Sequence, residues 1–159
     1  MSSNPAYDGP MIADSAEHWT PAWLVLLRTH ARLWAQVEAQ MRRDSGLTMP
    51  RYDVLMQLDM SGGRLGLSEL ASRIVLSPSG LSKLLDRMAA ARLVRRESDP
   101  RDPRSTIARI TPRGRSLVRK SRRRHHAWLQ RAFGDALDDR DVADLIRIMK
   151  RIDSQTPFP

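Results

Sequence analysis

Three Ser/Thr–Pro pairs each precede a helical pattern in this 159-residue chain: Thr20-Pro21, Ser77-Pro78 and Thr111-Pro112. A Ser or Thr side chain can accept a hydrogen bond from the free N–H groups at a helix start. Pro suits the first helical position because its φ is already helical and it has no N–H to satisfy. The chain is therefore expected to be mainly α-helical, with helices beginning at these three pairs.

The N-terminal part of the chain contains a long apolar stripe. From Trp23 to Met41, apolar residues recur at spacings of four and three, which predicts a helix over Thr20–Arg43. Ser45-Gly46 predicts its end, and a short helix is expected from Thr48 to Leu58. Residues 1–17 carry no periodic pattern and are expected to form a flexible arm.

The centre of the chain predicts two short helices joined by a tight turn. Leu65-Gly66-Leu67 is expected to be a bridging strand, and Ser68 is expected to cap a helix from Glu69 to Ile74. The next helix, Pro78–Ala90, has one apolar face, formed by Leu81, Leu84, Leu85 and Met88.

Two β-like runs follow, Leu93–Glu97 and Thr106–Ile110. The turn-rich, charged segment Ser98–Ser105 between them predicts a β-hairpin with a long tip. Two helices, a tight turn and a hairpin together predict a winged helix-turn-helix. The chain then returns to helix, with a basic segment that becomes apolar before a break at Gly134, and a last helix that opens at Asp138-Asp139.

The positive charge is concentrated in one segment. The whole chain has a net charge of +9, but Arg64–Arg124 holds 17 basic and 5 acidic residues, a net +12. A segment of this kind favours a nucleic acid, with an anionic membrane surface or an acidic protein as the alternatives. None of the eight aromatic residues lies between Pro78 and Ala127, which favours duplex DNA over single strands, because single-strand binders stack bases on aromatic rings.

Several classes of protein are disfavoured. The chain has no Cys, which excludes thiolate metal sites and thiol chemistry. The first basic residue is Arg28 and the longest apolar run is Ala22–Leu27, so neither an export signal nor a membrane span is expected, and the default is a cytoplasmic protein. Adjacent His125 and His126 point to different faces of a helix, and no phosphate loop or nucleophile motif occurs, so neither a cofactor, a metal nor an enzymatic activity is expected.

The second short helix and the hairpin tip carry the candidate DNA contacts. A recognition helix offers short polar groups and long basic ones at its N-terminal end. Those expected here are Ser77, Ser79, Gly80, Ser82, Lys83 and Arg87. For Ser77 the alternative is a helix cap only. Arg101 and Arg104 flank the hairpin tip, where arginine suits a narrow minor groove, and Asp102 is expected to orient Arg104 by an ion pair.

These residues resemble the MarR family of bacterial transcription regulators. Asp102-Pro103-Arg104 followed by Ile110-Thr111-Pro112-Arg113-Gly114 is similar to that family's wing signature, D-x-R then L-T-x-x-G. Ala91 stands where a Gly is common in the family. The resemblance spans about residues 20–152 and extends to four further segments, Leu67–Ala71, Ser77–Ser82, Leu85–Met88 and Ala91–Arg96.

The resemblance implies a homodimer that binds pseudo-palindromic duplex DNA, most often as a repressor released by a small aromatic or phenolic ligand. It implies that Arg104 is the minor-groove arginine, with Asp102 as its tether. The expected organisation is a winged helix-turn-helix over residues 46–111 and a helical dimerisation platform from residues 18–45 and 112–153. The apolar faces of the terminal helices agree with this, because a partner chain would bury them.

A pocket could form where the first two helices meet the DNA-binding lobe. Its walls would be aromatic or soft apolar side chains, which suit an aromatic effector. The residues expected there are Trp23, His30, Trp34, Tyr52 and Met56, with an ordinary core or dimer interface as the alternative for each. Three hypotheses follow for the whole chain: a ligand-responsive dimeric repressor, a sequence-tolerant architectural DNA-binding protein, and an enzyme with an unrecognised pocket.

Overall fold

A computed structural model describes residues 19–100 and 102–155. The predicted arm, residues 1–17, and Arg101 lie outside these ranges. The chain divides into two compact units, one up to Gln36 and one from Val37 onward.

The elements confirm a mainly α-helical chain with a small antiparallel sheet. The helices are α1 (Trp19–Ser45), α2 (Met49–Met60), α3 (Leu67–Arg73), α4 (Pro78–Ala90), α5 (Pro112–Leu129) and α6 (Asp139–Gln155). The strands are β1 (Arg64–Gly66), β2 (Val94–Asp99) and β3 (Asp102–Ile110). A π-helical turn, Gln130–Gly134, follows α5. The order α3, α4, β2, β3 is the predicted winged helix-turn-helix.

The sheet has three strands in the order β1-β3-β2, so the bridging strand joins the hairpin. Leu65 pairs with Ala108 on one side of β3, and Arg96 pairs with the same Ala108 on the other. The predicted hairpin tip, Ser98–Ser105, was too long. Pairing continues to Asp99 and Asp102, with a register shift between Ser98 and Asp99. Because of this register shift, residues that favour turns remain paired between β2 and β3. Sequence propensity alone does not reveal such a shift.

Two of the predicted Ser/Thr–Pro starts are real caps. Ser77 Oγ accepts a hydrogen bond from the Gly80 N–H, and Thr111 Oγ1 accepts one from the Gly114 N–H. Thr20 was wrong as a cap, because α1 already includes Trp19 and Thr20. Pro21 is tolerated there because a first-turn N–H has no partner within the helix.

Ser68 was also wrong as a cap. Gly66, at the end of β1, has an extended backbone and is the N-cap residue of α3, which starts at Leu67. Ser68 therefore lies in the first helical turn. Glu69 is in this first turn as expected, where an acidic side chain favours the helix dipole.

The turn between α4 and β2 contains a left-handed residue at an unexpected position. Arg92 has φ 58°, whereas Ala91, the position compared with the family glycine, has φ −77°. A left-handed φ is costly for a residue with a Cβ, so Arg92, not Ala91, is the position at which glycine would be favourable.

The core of the second unit is built from the inner faces of four helices and the sheet. Its fully buried residues include Leu55, Leu58, Leu70, Leu85, Met88 and Val118. The buried residues of α4 are the four predicted ones, Leu81, Leu84, Leu85 and Met88. Burial of this face fixes which side of α4 is turned outward.

Two reciprocal hydrogen bonds define the start of α6. The Asp138 side chain accepts from the Asp141 N–H at 2.8 Å, and the Asp141 side chain accepts from the Asp138 N–H at 3.2 Å, a reciprocal cap.

Several apolar side chains of α6 are exposed, namely Val142, Leu145, Ile146, Ile148, Met149 and Ile152. Among the residues described, no helix has the length and apolar content to cross a bilayer.

Candidate nucleic-acid interface

The outward face of α4 carries the polar and basic residues predicted as DNA contacts. Ser77, Ser79, Lys83 and Arg87 are exposed, and Gly80 and Ser82 are half-buried. Ser77 is the N-cap residue, and the others lie in the first three turns of the helix, outside its set of four buried apolar residues. The structure therefore places all six of these residues on one element.

The N-terminus of α4 is held by its own serines. Ser77 Oγ lies 3.2 Å from the Gly80 nitrogen and 3.3 Å from Ser79 Oγ. The predicted alternative for Ser77, a helix cap, is thus present in the structure. A Cβ on Gly80 would lie 3.0 Å from Ser77 Oγ. The absence of a side chain at Gly80 therefore leaves room for the capping hydroxyl of Ser77.

The Arg87 side chain is oriented along the helix. Arg87 Nε donates to the Lys83 carbonyl oxygen at 3.2 Å, one turn earlier. This bond uses one of the five guanidinium N–H groups and leaves the others for an external acceptor. Within residues 19–100 and 102–155, neither Lys83 nor Arg87 forms an ion pair with an acidic side chain.

Sequence reasoning missed a residue of β2 that contacts this face. Arg96 Nη1 lies 2.5 Å from Asp86 Oδ1 and 3.3 Å from Ser82 Oγ. A signal was available: alternation places Arg96 on the same side of β2 as buried Val94, and Asp86 supplies an opposite charge ten residues earlier.

The hairpin has its own polar contacts. Arg109 Nε lies 2.9 Å from both carboxylate oxygens of Glu97 on the neighbouring strand. Asp102 is exposed and accepts from Ser105 Oγ at 2.7 Å. Arg104 lies in β3, but its side chain is outside the described part, so the Asp102–Arg104 ion pair stays a prediction.

Thr111 joins the helix-turn-helix to α5. Its hydroxyl lies 2.8 Å from the Arg92 carbonyl oxygen and 3.0 Å from that of Leu93, and it accepts from the Gly114 N–H at 3.0 Å. Gly114 is fully enclosed beside the Leu93 carbonyl. The family-like T-x-x-G segment is therefore a structural joint between the α4–β2 turn and α5.

An aromatic cluster lies between α2 and α5. The Tyr52 and His125 ring centroids are 5.0 Å apart, and those of His125 and Trp128 are 6.1 Å apart with nearly parallel planes. His125 Nδ1 is buried and has no hydrogen-bond partner among the residues described. Burial, and secondarily the charge of His126, lowers the pKa of His125, and burial raises the pKa of Tyr52.

The predicted ligand-pocket residues occupy two different helices. Tyr52 is buried and Met56 half-buried on α2. On α1, His30 and Trp34 have ring centroids 6.0 Å apart, and Trp23 is exposed. His125 and Trp128, which contact or neighbour Tyr52, were not in the predicted set. No cluster of three or more His, Asp or Glu suited to a metal ion occurs in the part of the chain described.

Comparisons with known proteins identify the family. A sequence model described as MarR family matches residues 45–105. AbsC of Streptomyces coelicolor, a MarR family transcriptional regulator, is 33% identical with TM-score 0.82, covering 91% of this chain and 97% of AbsC.

Two further relatives extend the comparison to DNA binding. Sco3205 of S. coelicolor, a MarR family regulator solved in complex with DNA, is 25% identical with TM-score 0.84, covering 94% of each chain. The HTH-type transcriptional repressor Rv2887 of Mycobacterium tuberculosis is 32% identical over 110 residues, 69% of this chain and 75% of the relative. The chain therefore belongs to the MarR family of DNA-binding transcription regulators.

Proposed function

We propose that this regulator is a homodimeric repressor that binds pseudo-palindromic duplex DNA and is released by a small aromatic or phenolic ligand in the cytoplasm. In this proposal α4 enters the major groove and the β2–β3 hairpin enters the minor groove. The contacts are Ser77, Ser79, Gly80, Ser82, Lys83 and Arg87 from α4, and Arg101, Asp102 and Arg104 from the hairpin.

The observation that carries the proposal is the outward face of α4. Its exposed serines, Lys83 and Arg87 face outward, its apolar face is buried, and Arg96 of the β2–β3 hairpin contacts Ser82 and Asp86 of the same helix. Short side chains let the backbone approach the duplex, and the two long basic side chains can reach phosphates or base edges.

Dimerisation is supported by the exposed apolar side chains of α6. Five of them recur at helical spacing along one side, from Val142 to Ile152. A contiguous apolar stripe of this kind favours burial against a partner. In the proposed organisation, residues 18–45 and 112–153 form the dimerisation platform, and residues 46–111 form the DNA-binding domain.

Repression and ligand release are supported by relatives and by the aromatic cluster. Rv2887 is named a repressor. BpsR of Bordetella bronchiseptica, whose DNA binding is regulated by 6-hydroxynicotinic acid, shares the fold at 22% identity and TM-score 0.76 over 87% of this chain and 97% of BpsR. Tyr52, His125 and Trp128 form an aromatic cluster, which suits an aromatic ligand, and Tyr52, Met56, Trp23, His30 and Trp34 remain the candidates for ligand contact.

A titration against two DNA duplexes at physiological salt tests the proposal. One duplex is selected from a random library with the wild-type protein, and the other is a random sequence of the same length. A specific repressor should prefer the selected duplex by about a thousandfold or more. Equal affinity for the two duplexes would contradict it.

A sequence-tolerant architectural protein is the second candidate. The net +12 of Arg64–Arg124 favours it, since backbone charge alone gives non-specific binding. The same titration separates the two candidates, because an architectural protein would bind both duplexes alike.

A further inference from the structure

Arg96 connects the sheet to the outward face of α4 through two side chains. Its Nη1 atom lies 2.5 Å from Asp86 Oδ1 and 3.3 Å from Ser82 Oγ. Ser82 and Asp86 are four residues apart and therefore lie on the same side of α4. One guanidinium on β2 thus holds two consecutive turns of the helix proposed to enter the major groove.

The chemistry of the bridge fixes the direction of the Ser82 hydrogen bond. A guanidinium only donates, so Ser82 Oγ must accept from Arg96. The Ser82 hydroxyl proton is then free to point elsewhere, and Ser82 is half-buried on a face whose neighbours Ser79 and Lys83 are exposed. Ser82 is therefore prepared to donate a hydrogen bond outward.

The bridge also determines which charges are available to phosphate. Arg96 is paired with the Asp86 carboxylate, so its positive charge is already compensated. Lys83 and Arg87 have no acidic partner in the described part of the chain. Of the basic side chains near this face, these two should neutralise phosphates, and Arg96 should not.

We propose that Arg96 is a positioning residue for sequence readout, which orients Ser82 to donate to an acceptor atom on a base edge while Asp86 keeps the Arg96 charge away from the DNA backbone. This inference rests on the proposed DNA-binding face of α4. Purine N7, guanine O6 and thymine O4 are the major-groove acceptors of the required chemistry.

The test uses the full-length protein with the selected and random duplexes, each titrated from 50 to 300 mM salt. Arg96→Ala and Ser82→Ala should each lower the preference for the selected duplex about tenfold, a 1.4 kcal/mol change. The double variant should lose no more than either single one, because both changes remove the same interaction. Arg95→Ala, on the neighbouring position of β2, is the matched control and should retain the preference.

The salt dependence separates positioning from phosphate contact. Lys83→Ala should reduce the slope of log affinity against log salt by about one, whereas Arg96→Ala should leave it unchanged. Asp86→Asn should raise affinity for the random duplex and steepen the slope, because it releases the charge of Arg96.

Distinct results would overturn the inference. If Arg96→Ala reduces the salt slope as much as Lys83→Ala does, Arg96 is a phosphate contact. If the double variant loses as much preference as the product of the two single losses, Arg96 and Ser82 act independently. If Arg96→Ala unfolds the protein, an unchanged preference in Ser82→Ala still refutes the readout role. If the wild type does not discriminate and Lys83→Ala changes nothing, the proposed function itself fails.

Discussion

The carbonyl oxygen of Leu93 lies so close to Gly114 that a Cβ at this glycine would overlap it. The contact joins the α4–β2 turn to the first turn of α5, where the Gly114 N–H also donates to Thr111. Backbone atoms on both sides leave little freedom to adjust. Gly114 is therefore required by packing, and its φ plays no part in the requirement.

Gly114→Ala is expected to destabilise the fold by about 1–3 kcal/mol, since overpacking against backbone forces the turn and α5 apart. Urea denaturation measures the change. Gly66→Ala is the matched control, because a Cβ at Gly66 meets no atom within 4 Å. A loss at Gly114 no larger than at Gly66 would show that α5 can shift freely at this joint.

Arg92→Gly is expected to stabilise the protein by about 0.5–1 kcal/mol. Arg92 has φ 58°, a left-handed conformation that glycine adopts without the cost imposed by a Cβ. The exposed side chain makes no hydrogen bond among those described, and the backbone bond from Thr111 to its carbonyl oxygen is retained. Thermal unfolding should show a rise of a few degrees in Tm.

Ala91→Gly provides the contrast for Arg92→Gly. Ala91 has φ −77°, so glycine gains nothing there and adds entropy to the unfolded chain. A higher Tm for Ala91→Gly than for Arg92→Gly would place the position that favours glycine at residue 91.

Local signals in the sequence were the most reliable. The caps at Ser77 and Thr111 and the buried face of α4 depend on residues within one or two turns, and the structure confirms them. Ser68 failed as a cap because the end of β1, a tertiary feature, sets the start of α3.

The sequence indicates contacts between distant elements only in part. The bridge from Arg96 to Ser82 and Asp86 depends on how β2 lies against α4. The length of the hairpin depends on a register shift that keeps Asp99 and Asp102 paired. Both follow from packing and strand register, which single-residue propensities do not encode.

His125 is expected to make stability pH-dependent. Burial and then His126 lower its pKa below the ordinary 6.5 of the unfolded chain. As pH falls below about 6.5, the unfolded state therefore binds a proton that the folded state does not, and the free energy of unfolding decreases until the folded pKa is passed. Above this window the group contributes no pH dependence.

His125→Phe tests this expectation, because a phenyl ring can still lie between Tyr52 and Trp128 but does not titrate. The free energy of unfolding measured at pH 7.5 and 5.5 should differ less in the variant than in the wild type. His126→Gln should retain most of the difference, since burial is the larger cause of the shift. Equal pH dependence in the wild type and His125→Phe would assign the effect to other groups.

Ile146→Glu is expected to weaken the proposed dimer. Ile146 lies half exposed in the apolar stripe of α6, and a buried carboxylate at an interface is costly. The dimer dissociation constant, measured by analytical ultracentrifugation, should rise at least tenfold, roughly 1.4 kcal/mol. Arg151→Glu, on the opposite side of α6, should leave assembly intact. Equal dissociation constants for the two variants would show that this stripe is not the interface.

Arg104→Ala is expected to reduce affinity for the selected duplex while leaving assembly unchanged. Arg104 lies in β3 near the hairpin tip, and an arginine inserted into a narrow minor groove gains from its enhanced negative potential. Loss of such a contact should weaken binding about tenfold to a hundredfold, roughly 1.4–2.7 kcal/mol.

Arg109→Ala is the matched control for Arg104→Ala, because Arg109 lies in the same strand but is paired with Glu97. Its effect on affinity should be small, and ultracentrifugation should find both variants in the wild-type oligomeric state. Testing Arg104→Ala against duplexes with A·T-rich and G·C-rich flanks adds a direct probe of groove width, since only a minor-groove arginine favours the narrow A·T-rich groove. Unchanged affinity on both flanks would remove the hairpin from the DNA interface and leave α4 to bind alone.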